Sequence, residues 1–374
     1  MVLVIALVIG SIKGGRHRLH DNPQLLVGRN HFERVRDFEL AARGASVSSR
    51  RPERLRIGIE ISTLYNLSLS NQTFMANGHF WLNWPATVQR WMEEAGITAD
   101  QLISFPNNIV SYDFAITPAR TSPRILADGS REQSYSFSGH FWSEAIDFHD
   151  FPFNKIIIPI RFEVAPEDFS LVGPRPVALI ANPRQPDLLG SLIDIPGLQL
   201  LGGRLEPYVH VYRDDNSFST NTSPDAFSQV LSVTLFRTHP IASIGQWLIP
   251  VLIVMMTVFV APTISGRLSD IRIAIPSAAL LTLVVLQQTY ETNIPQLSYL
   301  TFLDLVYLWC YVVTGGLFIL FVWSANQCAA IEEDAADRDA RLGAITTRIR
   351  AIDRRFQILS LIGTVVTIVL ALAL

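Results

Sequence analysis

Four long apolar runs, all after residue 240, constrain what this chain can fold into. They cover residues 241–262, 271–290, 299–325 and 356–374. Each is close to the roughly 20 apolar residues that a helix needs to cross the hydrocarbon core of a bilayer. The chain is 49% hydrophobic and concentrates its apolar residues in these runs. We therefore predict an integral membrane protein with a four-helix transmembrane bundle.

The second run is the least hydrophobic of the four, because polar side chains interrupt it. They are Arg272, Ser277, Thr282, Gln287, Gln288 and Thr289. Polar groups within a span are costly against lipid but suit a water-filled cavity. This run is therefore the candidate lining of a pore.

Basic residues beside the runs predict the orientation, because cytoplasmic loops hold the excess of Lys and Arg. The loop between the third and fourth runs contains six arginines, whereas the connection Glu291–Ser298 contains no Lys or Arg. The N-terminal domain and the C-terminus are then expected outside. The leader segment 1–22 begins with apolar Met1–Ile12, without a basic start or a cleavage site, which indicates either an uncleaved anchor or a truncated signal.

Residues 55–238 consist of short alternating runs separated by Gly, Pro, Asn and Asp, a pattern typical of strands and turns. The predicted strands are Arg56–Leu69, Thr73–Trp84, 132–142, 156–164, 176–181, 207–213 and 228–237. Strands at this spacing predict an extracellular all-β immunoglobulin-like sandwich. The two cysteines, Cys310 and Cys328, follow this segment, so disulfides do not support it.

The remaining segments complete the domain organisation. Residues 23–54 form a basic segment with a predicted surface helix at Asn30–Arg43, which has an Asn cap and a Gly stop. We assign residues 239–325 to transmembrane helices one to three, 326–355 to a cytoplasmic linker and 356–374 to helix four. No phosphate-binding glycine loop, Cys/His metal spacing or catalytic triad is evident, so we predict no enzyme activity, cofactor or metal site. The basic runs lack the interleaved aromatics that suit nucleic acid.

Several motifs, taken in order, resemble the pentameric ligand-gated ion channels, and specifically their prokaryotic members without loop cysteines. The motifs are the signature loop Glu144–Ile158, Phe105-Pro106-Asn107, Gly78–Trp84, Arg237, Pro250, Glu291–Pro295 and Asp304. The resemblance covers about residues 55–325. It implies a homopentamer around a central pore in the inner-membrane bilayer, with the N-terminal domain periplasmic. Such a channel passes inorganic ions and opens with protons or a small-molecule agonist, here unknown.

One face of a helix over 270–292 carries the predicted pore residues at intervals of three or four. They are Asp270, Ala274, Ala278 with Ser277, Leu281, Val285, Gln288 and Thr292. Around a fivefold axis, Asp270 would form a carboxylate ring that attracts cations, and Leu281 and Val285 would form apolar rings that close by dewetting. Glu291 would add an outer acidic ring. The alternative is that Leu281 and Val285 pack against a neighbouring helix.

Two further sets of residues follow from the resemblance. The ligand-binding candidates are His79, Trp81, Phe105, Phe169, Tyr212 and Phe218. The gating-coupling candidates are Asp150, Phe151, Pro152, Phe153, Asn154, Arg237 and Pro295. Asn154 replaces the aspartate usual in the family, so the partner of Arg237 stays open among Asp147, Asp150 and Glu60. The alternative functions are a non-conducting membrane-anchored sensor of the same architecture and a small-molecule transporter.

Overall fold

The computed structural model separates the chain into two compact units. It describes residues 32–34, 51–109, 113–143, 146–182, 188–190, 193, 195–212, 225–266, 268–332 and 338–373. The strand unit comprises the described residues of Arg18–Asp147 and Lys155–Arg237. The helical unit comprises Phe148–Asn154 and the described residues of Thr238–Leu374.

Within the described residues, the strand unit contains two sheets, one α-helix and the short 3₁₀ helix Glu167–Phe169. The strands are β1 Phe32–Arg34, β2 Glu53–Ser68, β3 Thr73–Trp84, β4 Ile103–Ser104, β5 Ala115–Pro118, β6 Arg124–Ile125, β7 Arg131–Trp142, β8 Lys155–Val164, β9 Val177–Ala181, β10 Leu198–Tyr212 and β11 Asp225–Thr238. One sheet has the order β1-β10-β11-β8-β4, and the other has the order β5-β7-β3-β2-β9 with β6 beside β7.

The core of the strand unit forms where side chains of the two sheets meet. Along β3, residues alternate between buried and accessible positions, with Phe74, Phe80 and Trp84 buried, as the period of two in a strand requires. The Phe80 ring of β3 lies 5.9 Å from the Phe162 ring of β8, which belongs to the other sheet. Aromatic rings and aliphatic side chains of both sheets share this core.

The prediction of an all-β immunoglobulin-like sandwich is wrong in two respects. Strands β2 and β9 pair in parallel from Glu53↔Val177 to Ile57↔Ala181, so their sheet is mixed. A helix, α1 Ala86–Ala95, follows β3 and ends at Gly96, whose φ of 68° is left-handed. Val88 and Met92 are buried because a spacing of four places both on the inner face of this helix. Strand patterns alone reveal neither feature.

The predicted surface helix Asn30–Arg43 is also wrong at the positions that the structure describes. Phe32–Arg34 form β1, which pairs with β10 in the antiparallel register Phe32↔His210. The other residues of that predicted helix lie outside the described part of the chain. At these three positions, pairing with the edge of β10 stabilises a strand more than the local sequence pattern stabilises a helix.

The described residues of the helical unit form four helices: α2 Pro240–Thr263, α3 Ser269–Glu291, α4 Phe302–Glu332 and α5 Arg338–Ala373. Within the described residues, three helical segments are long and apolar enough to cross a membrane: Pro240–Thr263, Ser269–Glu291 and Phe302–Ala330. These three segments indicate that the protein associates with a membrane.

The prediction of a four-helix transmembrane bundle is therefore wrong. The predicted span 356–374 is only the second part of α5, whose preceding turns carry five charged residues between 348 and 355. The side chains beyond residue 367 lie outside the described part of the chain. Three candidate spans, with α5 packed beside them, replace the predicted bundle.

Helix α5 approaches α4 closely at glycine positions. A Cβ atom on Gly363 would lie 2.2 Å from the Trp309 side chain, so only glycine fits there. The Trp309 indole N–H donates to the Thr364 hydroxyl at 2.9 Å. The Gln357 amide donates to the Phe259 carbonyl of α2 at 2.8 Å. These contacts fix α5 against both α2 and α4.

Candidate functional site

The predicted pore residues all lie on an exposed face of α3. Leu281 is 69% exposed and Val285 is 53% exposed, large fractions for aliphatic side chains. The other exposed members of this face are Asp270, Ala274, Ser277, Ala278, Gln288, Glu291 and Thr292. We term these nine residues the exposed α3 face. Leu281 and Val285 are thus left largely uncovered by the other helices of the same chain.

The opposite face of α3 holds the helix in its unit. Its buried residues are Arg272, Pro276, Ala279, Leu283 and Tyr290. At 3.6 residues per turn, these positions centre about 180° from the exposed α3 face. The helix therefore has one packed face and one free face, and the predicted pore residues occupy the free one.

Hydroxyl groups on α3 bond back to the helix backbone. Ser277 donates to the Ile273 carbonyl at 2.8 Å, Thr282 to Ala278 at 2.9 Å, and Thr289 to Val285 at 2.9 Å. Because the proton points to the backbone, each hydroxyl oxygen keeps its lone pairs for a water or a cation. These polar groups need no partner from a neighbouring helix.

Arg272 lies on the packed face, away from the exposed α3 face. Its guanidinium Nη2 is 2.5 Å from the Asp353 carboxylate of α5. The guanidinium carbon Cζ lies 4.1 Å from the centre of the Phe321 ring of α4. Both charged residues are buried, Arg272 at 1% exposure and Asp353 at 3%. The positive charge nearest Asp270 in sequence is thus paired inside the helical unit. No local pattern in the sequence pointed to Asp353, which is 81 residues away.

The loop Phe148–Asn154 contacts the end of α3 through an aromatic ring. The Phe151 ring stacks on Tyr290, in the last turn of α3, with centres 6.1 Å apart, and lies 5.6 Å from the Trp247 ring of α2. Tyr290 in turn stacks on Tyr307 of α4 at 5.6 Å. One buried ring of the loop thus touches two helices, and Tyr290 connects it to a third.

The same loop also contacts the segment between α3 and α4. The His149 ring stacks on Tyr299 with centres 3.9 Å apart, and the His149 carbonyl accepts the Phe302 N–H at 2.8 Å. The Phe153 ring packs edge-on against Phe302 at 5.8 Å. Sequence reasoning named the loop but missed its partners Trp247, Tyr290, Tyr299 and Phe302. The feature of the sequence that points to these four partners is the clustering of aromatic residues at the ends of the apolar runs.

The other predicted coupling residues occupy different environments. Asn154 is 2% exposed, and neither polar atom of its side chain has a hydrogen-bond partner among the described residues. Thr238 donates its hydroxyl to the Asn154 carbonyl at 3.3 Å. Arg237 is exposed at the end of β11, Asp150 is exposed, Pro152 is buried and Pro295 is half-buried.

The predicted ligand residues are not brought together as one set. Phe105 and Phe169 are buried at 7% and 1% exposure, and the Phe105 ring lies 4.6 Å from Phe162, so both belong to the core. His79 is exposed and Trp81 half-buried on the outward side of β3, as alternation predicts. Phe218 lies outside the described residues, as does Glu144 of the signature loop.

Tyr212 belongs to a polar cluster on β8, β10 and β11 that sequence reasoning missed. Its hydroxyl donates to Glu163 Oε1 at 3.1 Å, and Gln229 Nε2 contacts the other oxygen of that carboxylate. The His210 ring nitrogen Nδ1 lies 3.4 Å from Glu163 Oε2. Burial and the Glu163 carboxylate raise the pKa of Tyr212 above its usual value, so the phenol stays a neutral donor. The register Gln229↔Glu163 creates this cluster.

Comparison with known proteins adds no assignment: no family model matches the chain, and a search of curated proteins returns no match.

Proposed function

We propose that this chain is the subunit of a homopentameric, cation-selective ion channel of the pentameric ligand-gated type, opened by a small-molecule agonist or by protons. Helix α3 lines the pore, and the N-terminal domain lies on the periplasmic side. The observation that carries the proposal is the exposed α3 face, which combines carboxylates, small residues, leucine and valine, and an amide in one stripe.

The pattern along this face supports a gated water path. A lone chain that exposes Leu281 and Val285 within a candidate span must cover them with lipid or with other copies of α3. Lipid suits the leucine and valine but not Asp270, Gln288 and Glu291 on the same stripe. A common axis between copies suits all five, because water reaches the polar ends and the apolar middle closes by dewetting.

The charges on this face support cation selectivity. Asp270 and Glu291, at opposite ends of α3, are both exposed, so each would form a carboxylate ring. The positive charge of Arg272 does not directly neutralise the proposed Asp270 ring, because the Arg272 side chain is buried against Asp353. Acidic rings concentrate cations at the mouths of a pore.

The contacts of the loop Phe148–Asn154 support a route for gating. The loop is covalently continuous with β7 and β8, while Phe151 stacks on Tyr290 at the end of α3. A displacement of these strands would therefore move the last turn of the pore helix. The polar cluster of Glu163, His210, Tyr212 and Gln229, here termed the Glu163 cluster, is the part of the strand unit where a proton or a cationic agonist would act. Its Tyr212 is 40% exposed.

Leu281→Ala, expressed in oocytes under a sodium chloride gradient, tests the proposal without knowledge of the agonist. Trimming an apolar gate should let the pore hydrate and open spontaneously, with a reversal potential near that of sodium. Leu252→Ala is the matched control, because Leu252 is a 57% exposed leucine of α2. It should give no current without a stimulus.

The other outcomes separate the alternatives. Reversal near the chloride potential would keep the channel and overturn cation selectivity. Silence of Leu281→Ala despite surface expression would overturn the channel and favour the non-conducting sensor.

A further inference from the structure

A polar pocket of about 570 Å³ lies in the strand unit, where β2 begins. Four segments line it: the start of β2, the end of β3, the start of α1 and the turn between β6 and β7. Its volume is within the range of about 300–1,000 Å³ that is typical of small-molecule sites. Its ionisable residues are Arg51, Glu53, Arg54, Arg56 and Asp128.

The three arginines give this pocket its positive charge. Arg54 and Arg56 are two residues apart on β2, so both project from the face opposite the buried Leu55 and Ile57. Arg51, just before the strand, is exposed as well. Among the described residues, no carboxylate lies within salt-bridge distance of these three guanidinium groups. Cations gathered in one pocket repel one another, and a bound anion relieves that repulsion.

The two carboxylates of the pocket do not cancel this charge. Asp128 Oδ1 accepts the Ser130 hydroxyl at 2.6 Å and the Ser130 N–H at 3.0 Å. These two bonds, together with the nearby charge of Arg56, hold the pKa of Asp128 below its usual value. Asp128 is therefore engaged by its own turn. With Glu53 as the other acid, three arginines against two carboxylates leave the pocket with a net positive charge.

Hydrogen bonds fix the walls of the pocket. Asn83 lies opposite Arg56 in the pairing of β2 with β3, and its Nδ2 donates to the Ser130 hydroxyl at 2.9 Å. The same amide donates to the Arg131 carbonyl at 3.2 Å, which ties the turn to β3. On the other side, α1 begins at Ala86, and no side chain caps this start. The uncapped N–H groups of a helix start add positive potential to the pocket that the arginines form.

We propose that this pocket binds a small phosphate-bearing anion, held by the guanidinium groups of Arg54 and Arg56. A guanidinium group donates two parallel hydrogen bonds to such an anion. The phosphate of a monoester offers three charged oxygens, so it can accept from both arginines and from the start of α1 together. The space left in the pocket suits an ester substituent better than a free phosphate. The site lies entirely within the strand unit, so the inference does not depend on ion conduction.

Isothermal titration calorimetry of the full chain in detergent tests this site. The probes are glycerol 3-phosphate and inorganic phosphate, and we expect the ester to bind more tightly and the two to compete. Arg54→Gln and Arg56→Gln should each lower the affinity for glycerol 3-phosphate about 10-fold, because each removes a charge-assisted pair of hydrogen bonds. The affinity should rise between about pH 5 and pH 7, because the phosphate loses its second proton near a pKa of about 6.

Two further variants separate a binding site from a general loss of structure. Glu53→Gln should raise the affinity about 3-fold, because it removes a carboxylate that repels the anion. A variant that only disturbed the fold would lower the affinity instead. Arg90→Gln is the matched control, because Arg90 is an exposed arginine of α1 that does not line the pocket. It should change the affinity less than about 2-fold, and all variants should keep the circular dichroism of the wild type.

The remaining outcomes decide the proposal. Absence of binding of both probes by the wild type, or an equal effect of Arg90→Gln, would overturn the site. Equal affinity for succinate, which brings the same charge without a phosphate, would show unspecific attraction of anions and would also overturn it. Binding of inorganic phosphate in preference to the ester, with the same loss in Arg54→Gln, would support the phosphate site and identify free phosphate as its occupant.

Discussion

At the scale of single residues, burial determines which charged side chains of α3 face outward. Asp270 and Arg272 are two positions apart in sequence, yet one is exposed and the other is 1% exposed. Helical periodicity places these two residues on opposite sides of α3. The partner of Arg272 was not predictable, because pairing with Asp353 depends on how α5 packs and not on local pattern.

Asp270→Asn should weaken cation selectivity in a Leu281→Ala background. Two unit charges 4 Å apart in water interact by about 1 kcal/mol. Loss of the carboxylate ring should therefore lower the sodium-to-chloride permeability ratio about 5-fold or more. The reversal potential in asymmetric sodium chloride measures this ratio. Asp113→Asn, at an exposed carboxylate of the strand unit, should leave the ratio unchanged. An unchanged ratio in Asp270→Asn would remove Asp270 from the ion path.

Asp353→Asn should destabilise the helical unit. It leaves the Arg272 guanidinium buried without its counter-charge, a change that costs about 3–5 kcal/mol in buried pairs. The midpoint of thermal denaturation, followed by size-exclusion chromatography of the detergent-solubilised chain, should fall clearly below that of the wild type. Arg348→Gln, which alters an exposed charge on the same helix, should leave the midpoint unchanged. Equal midpoints for Asp353→Asn and the wild type would contradict the importance of the pair.

At the scale of elements, strands with strict alternation were predictable and context-dependent elements were not. The predicted strand Thr73–Trp84 matches β3 residue for residue, because its buried residues repeat every second position. Helix α1 was missed because its inward contacts, Val88 and Met92, make too short a pattern for prediction. The span predicted in α5 is not among the candidate spans of the described residues, and the apolar part of this helix is continuous with charged turns.

The contact of Phe151 with Tyr290 should couple the loop to α3 energetically. Stacked aromatic pairs contribute about 0.5–1.5 kcal/mol beyond burial, so a double-mutant cycle should show coupling of that size. Phe151→Ala and Tyr290→Ala, alone and together, are made in the Leu281→Ala background. The measured quantity is the single-channel open probability.

The control cycle pairs Phe151→Ala with Val312→Ala, at a 37% exposed residue of α4. It should be additive within about 0.5 kcal/mol. Additivity of the Phe151 and Tyr290 changes as well would mean that gating does not pass through this contact.

At the scale of the whole molecule, the sequence predicted a β-rich N-terminal half and a membrane-associated C-terminal half. Hydropathy and alternation are local properties, so they are readable without a structure. The parallel pairing of β2 with β9, the Glu163 cluster and the docking of α5 are long-range contacts that no local pattern encodes. Assembly into a pentamer stays a prediction, supported by the exposed α3 face.

Cysteine accessibility along α3 tests most directly whether this face lines a pore. Single cysteines at Ala278 and Val285, which are exposed, and at Ala279 and Leu283, which are 5% and 0% exposed, are made in Leu281→Ala with Cys310 and Cys328 replaced by serine. A cationic methanethiosulfonate reagent is applied while current is recorded. We expect irreversible loss of current for Ala278→Cys and Val285→Cys and no change for Ala279→Cys and Leu283→Cys. Equal modification of both pairs, or loss of current only at the buried pair, would contradict it.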